Sequence, residues 1–520
     1  KRRAVTRVLM RSMCSKEGVE TAVLSFKTSN WKKALENLPE EAEKAISKEV
    51  QQIVNEYEVC TPSHERPAEY HRSVDLFDRK SDGTYKARLC VSVTQHGGVV
   101  NYGIDLYSPT IDMKVVFMIL GFSLQSGLEL TVWDVKGAFL KSPLPTRGVF
   151  VRVEPHVAEK MCNARPEWKE YLRRDGSLML ECNKAWYGLA ASSALWNAEI
   201  HKTLTEECGY TQHSMVACLY YRKVRGRLCY IMLHVDDLGA LMPPDGVERS
   251  RVKGLLESKY EEMKEQRGER VTYIGMEIYQ PKGSSRFHVN MSQRIKTMGA
   301  DFGIVSPAKM RANPAKTAGS FMSPPSESHE LLYDVKKYRS LVMTMQYISL
   351  VRPHLKFHVS WLASRQSSPT VVDWQKAVHL AEYMLSTADD VLTIKPSGEN
   401  VVIRVYTDAS FDVHPDSRSH SGVCVFVGEA GCAVFASSNK QHCMTRSSTD
   451  AEIVAAEGGL FIGNYYRDVL EELGIDACVV QLQDNLSCIS LVETGTRAYD
   501  KKERHMVRRI NFLKEYVDRV

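Results

Sequence analysis

Asp134 stands at the end of a strand-like run, LELTVWDV, and far downstream the run LCYIMLHVDDLGALM carries the adjacent acids Asp236 and Asp237 between apolar flanks. Carboxylates placed in apolar sequence are costly unless they are paired, hydrogen-bonded or bound to metal. Acids holding two Mg2+ ions about 4 Å apart are a recurring device of nucleotidyl transfer: one ion activates an attacking hydroxyl, the other stabilises the departing pyrophosphate. An Asp–Asp pair taken alone is equally suited to a hairpin turn. A second set follows near the C-terminal end. Asp408 ends the alternating run VVIRVYTD, Glu452 falls in the first turn of a helix that Ser448 or Thr449 can cap, and Asp484 ends CVVQLQD. Acids at strand ends and a helix start converge readily. Singly, each is also an ordinary surface residue.

The elements that must carry these acids can be read from periodicity. Residues 31–57, WKKALENLPEEAEKAISKEVQQIVNEY, space apolar residues among charges as an amphipathic helix does, with scaffolding as its expected role. From about Cys60 to Gln280, β-rich runs (KARLCVSV, LELTVWDV, LCYIMLHV, VTYIGMEI) alternate with helical stretches (TIDMKVVFMILGFSLQSG, SALWNAEIHKTLTEECG), which predicts an α+β domain. Residues 330–387 turn mainly helical, punctuated by Pro353 and Pro369, and the Pro- and Ser-rich stretch 305–330 is the expected linker. From Val401 the order is three strands, a long helix from about Ser448 to Leu473 closed by Gly474, a strand and two helices. There are no internal repeats.

A length of 520 residues implies two to four domains. A hydrophobic content of 43% with 25% charged residues is ordinary for a globular protein, and no apolar run approaches bilayer length. The 13 cysteines are scattered without Cys-x-x-Cys pairs or zinc spacing and read as reduced, structural thiols of an intracellular protein. The net charge of +5 is small for a protein lying along phosphates, but a basic groove and an acidic metal site cancel in the sum. Lys1-Arg2-Arg3 at the start, with no apolar signal segment, suggests a piece of something longer.

The strings resemble, in order, those of copia-type (Ty1-like) retrotransposon reverse transcriptases with a C-terminal ribonuclease H. HVDD is similar to the YVDD signature and WDVKGAFL to the upstream metal-site motif. YKARLCVSV, GIDLYSPT, NKAWYGLAASSALW, YIGMEI and YRSLVMTMQYISLVRP follow the family's order, and YTDAS, HSGVCVFVG, SSTDAEIVAAEG and QDNLSCISL look like its ribonuclease H block. The likeness runs from about Trp31 to the end.

This resemblance implies an α+β right-hand polymerase followed by an α/β ribonuclease H-like domain. The expected division is 1–57 N-terminal helical extension, 58–300 fingers and palm, 301–400 thumb and connection, and 401–520 ribonuclease H. Asp134 and Asp236 would be the main polymerase metal ligands, Asp237 a third acid, with the carbonyl of Val135 assisting. Phe139 would block a ribose 2′-hydroxyl, Lys86 and Arg88 would meet the incoming triphosphate, and Tyr187 and Gly188 would line the nucleotide site. Asp408, Glu452 and Asp484 would hold the ribonuclease H metals, with His505 and Arg509 as auxiliaries. The implied cofactors are two Mg2+ or Mn2+ ions per site. Implied partners are RNA template, DNA or RNA primer, RNA–DNA hybrid, deoxynucleoside triphosphates and other products of an integration-linked polyprotein, with no membrane; the implied location is a cytoplasmic virus-like particle, or the nucleus.

Three departures bear on these roles. Ala190, Ala191, Ser193 and Ala194 replace polar and proline positions after Tyr187-Gly188-Leu189. His354 replaces an Asp after Arg-Pro, at a place expected to be remote from the chemistry. In the terminal KHIDIRYHF-like string His505, Arg509 and Phe512 match, but Val507 stands where the family has an acid; Asp500 or Glu503 would be the substitutes. These departures leave a rival expectation, a decayed or domesticated copy that binds nucleic acid without full catalysis.

Overall fold

Residues 31–57 form two helices where the periodicity suggests one: α1 (Trp31–Asn37) and α2 (Pro39–Gln51), the second continued by a π turn to Glu56. Proline drives the residue before it out of the helical region, and Leu38 accordingly sits at φ −144°. Pro39 itself is tolerated as a first helical residue. The computed structural model describes residues 30–79, 83–96, 102–261, 263–307, 309–317, 321–322, 330–495 and 504–519. Parts of the expected 305–330 linker therefore lie outside the described residues, as do Asp500 and Glu503.

Both helices pack on a five-stranded sheet in the order Cys60–Pro62, Leu178–Cys182, Phe150–Val153, Tyr70–Arg79 and β1 (Tyr85–His96). The next layer starts with α3 (Met113–Gln125), apolar on nearly every side and buried, which leads into β2 (Glu129–Val135). After α4 (Ser192–Lys202) comes the hairpin of β3 (Arg227–His234) and β4 (Asp237–Met242). These strands build a six-stranded sheet, with β4 between β2 and β3. Central strands need apolar residues on both faces. Leu130 to Trp133 and Leu238 to Met242 are accordingly buried, while the acids come at the strand ends.

VTYIGMEI, read as one strand-like run, is a hairpin of Arg270–Tyr273 and Met276–Tyr279 in a third sheet. Its turn residues Ile274 and Gly275 both take positive φ, +49° and +64°, as a tight two-residue hairpin turn requires. The helical stretch that follows includes α5 (Val335–Ile348) and α6 (Lys356–Ser364), then Val371–Ser386 with a Thr370–Asp373 capping box.

The C-terminal unit contains β5 (Val401–Ser410), β6 (His420–Val427), β7 (Phe435–Lys440), α7 (Ser448–Glu472), β8 (Ala477–Leu482), a helix Leu486–Thr494 and α8 (Arg504–Arg519). Its sheet order is β7-β6-β5-β8, with β5 and β8 parallel and α7 packed across them. The cap of α7 is Ser447 rather than Ser448 or Thr449: its side chain accepts from Asp450 N–H, which puts Glu452 one residue beyond the first turn. One apolar core runs from Val132 and Leu233 through Leu341 to Val405 and Tyr466, so the C-terminal unit shares its interior with the central sheet. No helix among the described residues is long and apolar enough to cross a membrane.

Candidate active sites

β2 and β4 are antiparallel neighbours in a register that sets Asp134 directly opposite Asp237. Asp236 precedes Asp237 at the crest of a two-residue turn, Val235-Asp236, between the paired His234 and Asp237. Val235 has φ +59°. A β-branched residue in the left-handed region is rare and costs about 1–3 kcal/mol, and such strain gathers at functional sites. The backbone N–H of Val135 donates to Asp236 O at 3.3 Å, tying the end of β2 to the turn. Burial, then the charges of Asp236 and Asp134, push the Asp237 carboxyl up to about 6. The Asp236 carboxyl is solvent-accessible, yet the atoms crowding it displace enough water to raise its pKa, and Asp134 adds to the rise while Lys86 and His234 oppose it. No basic side chain among the described residues forms an ion pair with these three acids. Three carboxylates at neighbouring strand ends, two of them with raised pKa values, suit a divalent cation such as Mg2+ or Mn2+.

Around this corner stand the residues expected to meet a nucleotide. Phe139, four residues beyond Val135, meets Tyr187 edge to face at 5.9 Å, and Tyr187 feels the charges of Asp236 and Arg88. Lys86 is near enough to Asp236 to lower its pKa. Gly188 has a packing reason to be glycine: at φ +95°, an added Cβ would lie 1.9 Å from the carbonyl oxygen of Val91. The neighbouring Tyr187 carbonyl accepts from Val91 N–H at 2.6 Å, and the Trp186 indole donates to Leu89 O at 2.7 Å, so this string is stitched to β1. Of the departures that follow it, Ala191 and Ala194 are buried and Ala190 is exposed.

The second set closes more tightly. Asp408, Glu452 and Asp484 each offer an oxygen within 4.8 Å of the others, and no other such group of three occurs among the described residues. Asp408 and Asp484 are exposed at the strand ends, Asp484 two residues past β8, while Glu452 rises from α7 and is buried. Burial raises the Glu452 pKa most, Asp408 and Asp484 add to it, and hydrogen bonds from Gln483 Nε2 and Ala409 N–H, both 3.2 Å, act against it. Three like charges held this close fit a divalent ion. Asp408 and Asp484 open on a cleft of about 1000 Å³ whose other wall includes His354 and Lys356. His354, expected to be remote from the acids, lines the same cleft as two of them. Arg509 pairs with Glu457 of α7, His505 is exposed, and Val507 is half-buried beside Met506 on α8.

Residues 55–305 match the family described as reverse transcriptase (RNA-dependent DNA polymerase). Just under half of the chain thus carries the pattern of that family. The chain is 24% identical over 458 residues to the Retrovirus-related Pol polyprotein from transposon TNT 1-94 of Nicotiana tabacum, covering 85% of this chain and 32% of that polyprotein. It is 22% identical over 452 residues to the Transposon Ty1-GR2 Gag-Pol polyprotein of Saccharomyces cerevisiae, covering 82% of this chain and 24% of that one. The chain thus spans a third or less of these curated relatives, and its resemblance to copia-type retrotransposon reverse transcriptases holds. A solved structure, the foamy viral protease-reverse transcriptase dRH in complex with ds DNA, matches with a TM-score of 0.51 at 11% identity, over 91% of this chain and 68% of that one. The fold is α+β, a polymerase followed by a ribonuclease H-like domain.

Near the first site, two supporting residues escape a reading of the sequence. Glu49 of α2 is buried, accepts from Leu89 N–H of β1 at 2.9 Å, and feels the charges of Lys86 and Arg88. Trp196 of α4 is buried and its Nε1–H donates to Val235 O at 2.6 Å. A Glu on an amphipathic helix looks solvated, and a Trp looks like core; only the fold gives either a partner.

Proposed function

We propose that this chain is an RNA-directed DNA polymerase of a copia-type retrotransposon polyprotein, coupled to ribonuclease H cleavage of RNA in RNA–DNA hybrids. The observation that carries the reading is the Asp134–Asp237 register with Asp236 on a strained turn between them, inside the family-matched segment. Two Mg2+ or Mn2+ ions at each site would supply activation of the attacking oxygen and stabilisation of the leaving one. Asp134, Asp236 and Asp237, helped by the Val135 carbonyl, would hold the ions at the neighbouring strand ends. Lys86 and Arg88 on β1 face the triphosphate of an incoming deoxynucleotide, because cationic side chains neutralise phosphate charge. The Phe139 ring, braced by Tyr187, excludes a 2′-hydroxyl.

At the second site Asp408, Glu452 and Asp484 would hold the metals, which would activate the oxygen that attacks an RNA phosphate, and Glu452 is held by Ala409 and Gln483. Template, primer and hybrid are the nucleic-acid partners, held mainly by backbone and 2′-hydroxyl contacts. The proposed setting is a cytoplasmic virus-like particle or the nucleus, beside other polyprotein products. The close approach of the second trio supports working catalysis over a decayed copy that only binds nucleic acid.

Primer extension on an RNA template with a labelled DNA primer tests the reading, with cleavage of labelled RNA in a hybrid measured in parallel. Asp236→Asn should reduce DNA synthesis below about one per cent of the parent while primer–template affinity stays nearly unchanged, since a metal ligand acts on the transition state more than on duplex binding. Substantial synthesis by Asp236→Asn would remove the polymerase assignment.

A further inference from the structure

The peptide unit between Val235 and Asp236 is where one buried side chain meets the proposed polymerase centre. Val235 supplies that unit's carbonyl and Asp236 its nitrogen, so whatever fixes the carbonyl fixes the peptide plane and the direction in which Asp236 leaves the backbone. Two-residue hairpins of this kind favour glycine at a first central position with positive φ. Here a β-branched valine holds φ +59°, a conformation that the turn alone does not favour.

Trp196 Nε1–H donates to that carbonyl at 2.6 Å. The indole is 1% exposed, so the contact excludes water, and losing it would leave a buried donor unsatisfied. The ring is itself held. Tyr260 packs edge to face against it at 5.2 Å, the Tyr260 hydroxyl bonds Thr203 Oγ1 at 2.6 Å, and the Tyr260 carbonyl accepts from Lys141 Nζ at 2.7 Å. On the other side of the turn, the Val135 N–H to Asp236 O contact is longer, at 3.3 Å. Trp196 is thus the shorter and better-braced of the two contacts.

We infer that Trp196 is a positioning residue of the polymerase site: its indole N–H holds the Val235 carbonyl, keeps the left-handed turn, and so aims the Asp236 carboxylate. This rests on the polymerase reading. Trp196 does not reach substrate; it acts through the turn. Its neighbours Ala191 and Ala194 fill core.

The test compares the parent chain with Trp196→Phe, which keeps an aromatic ring and removes the N–H, and with Trp196→Phe combined with Val235→Gly. Hydrogen exchange is measured without divalent ions, and primer extension with them. Trp196→Phe should speed exchange across residues 228–241 while α3 keeps its protection. It should lower kcat about tenfold, equivalent to about 1.4 kcal/mol, with the dNTP KM and primer–template affinity close to the parent. Glycine adopts positive φ without steric cost, so the double variant should recover kcat to within about threefold of the parent, a rescue that simple core filling does not predict. Unchanged exchange and kcat in Trp196→Phe would overturn the inference. So would a loss that Val235→Gly leaves untouched and that tracks a general fall in thermal stability. A parent without extension activity would overturn the polymerase reading instead, and the exchange comparison would then decide whether the indole holds the turn.

Discussion

Phe139 meets Tyr187 edge to face and remains half-buried, an arrangement that suits a side chain packed on one side and open to a guest on the other. Replacing it with Val would shorten the wall that a 2′-hydroxyl meets. Phe139→Val is expected to raise incorporation of GTP relative to dGTP by about tenfold, in line with the ~1–3 kcal/mol that one lost apolar contact contributes to discrimination. Competitive single-nucleotide extension measures the ratio, and an unchanged ratio would return Phe139 to a packing role. The candidate acids were legible for a simple reason: Asp236, Asp237, Asp408 and Asp484 lie in or beside runs that are otherwise apolar or strand-forming, where a carboxylate is costly unless paired, hydrogen-bonded or bound to metal. Val235 was not legible. Its positive φ belongs to a turn between two paired strands, and the indole that meets its carbonyl lies 39 positions away in sequence.

Elements show the same division between what is local and what is not. The apolar periodicity of residues 31–57 gives the helices, and proline at position 39 explains why there are two. What α2 does is set by Glu49, whose carboxylate reaches into the first sheet and takes the Leu89 N–H. Burial raises the Glu49 pKa, while the Leu89 hydrogen bond and then Lys86 and Arg88 oppose the rise. The helix therefore holds β1 close to Lys86 and Arg88, a support aimed at the strand that carries both basic side chains. Glu49→Ala leaves a buried N–H unsatisfied, a loss of about 1–3 kcal/mol, and should raise the dNTP KM several-fold. Glu49→Gln keeps the accepting oxygen and should stay near the parent KM. Steady-state extension at varied dNTP separates these outcomes, and a fall in thermal stability with KM unchanged in both variants would confine α2 to support.

At the scale of the whole molecule, the ribonuclease H-like domain is bound to the rest by contacts no local pattern announces. The Tyr466 hydroxyl donates to Lys114 O at 2.7 Å, Ser214 N–H donates to Glu472 at 2.8 Å, and His213 Nε2 meets Val469 O at 3.1 Å. On its other side the domain meets α6 through aromatic rings: Trp361 stacks on His414 at 4.9 Å, and Phe357 meets His420 at 5.3 Å. His414 Nε2 and His420 Nδ1 are 2.9 Å apart, and His420 Nε2 is 2.7 Å from Ser438 Oγ. Burial, then His414, pushes His420 down to about 4; burial and Lys440 lower His414, with Asp416 opposing. Both rings are thus neutral in the folded protein at pH 7. A histidine whose folded pKa lies below its unfolded value of about 6.5 contributes stability above that pH and loses it as pH falls toward the folded value. Urea unfolding should therefore show a midpoint that drops between pH 7 and pH 5, with each histidine contributing a slope of at most about 1.4 kcal/mol per pH unit. His420→Asn removes the larger contributor, so its midpoint should start lower at pH 7 and fall less steeply. Equal slopes in parent and variant would mean that the acid sensitivity arises elsewhere and that the rings between α6 and the ribonuclease H-like sheet act by packing alone.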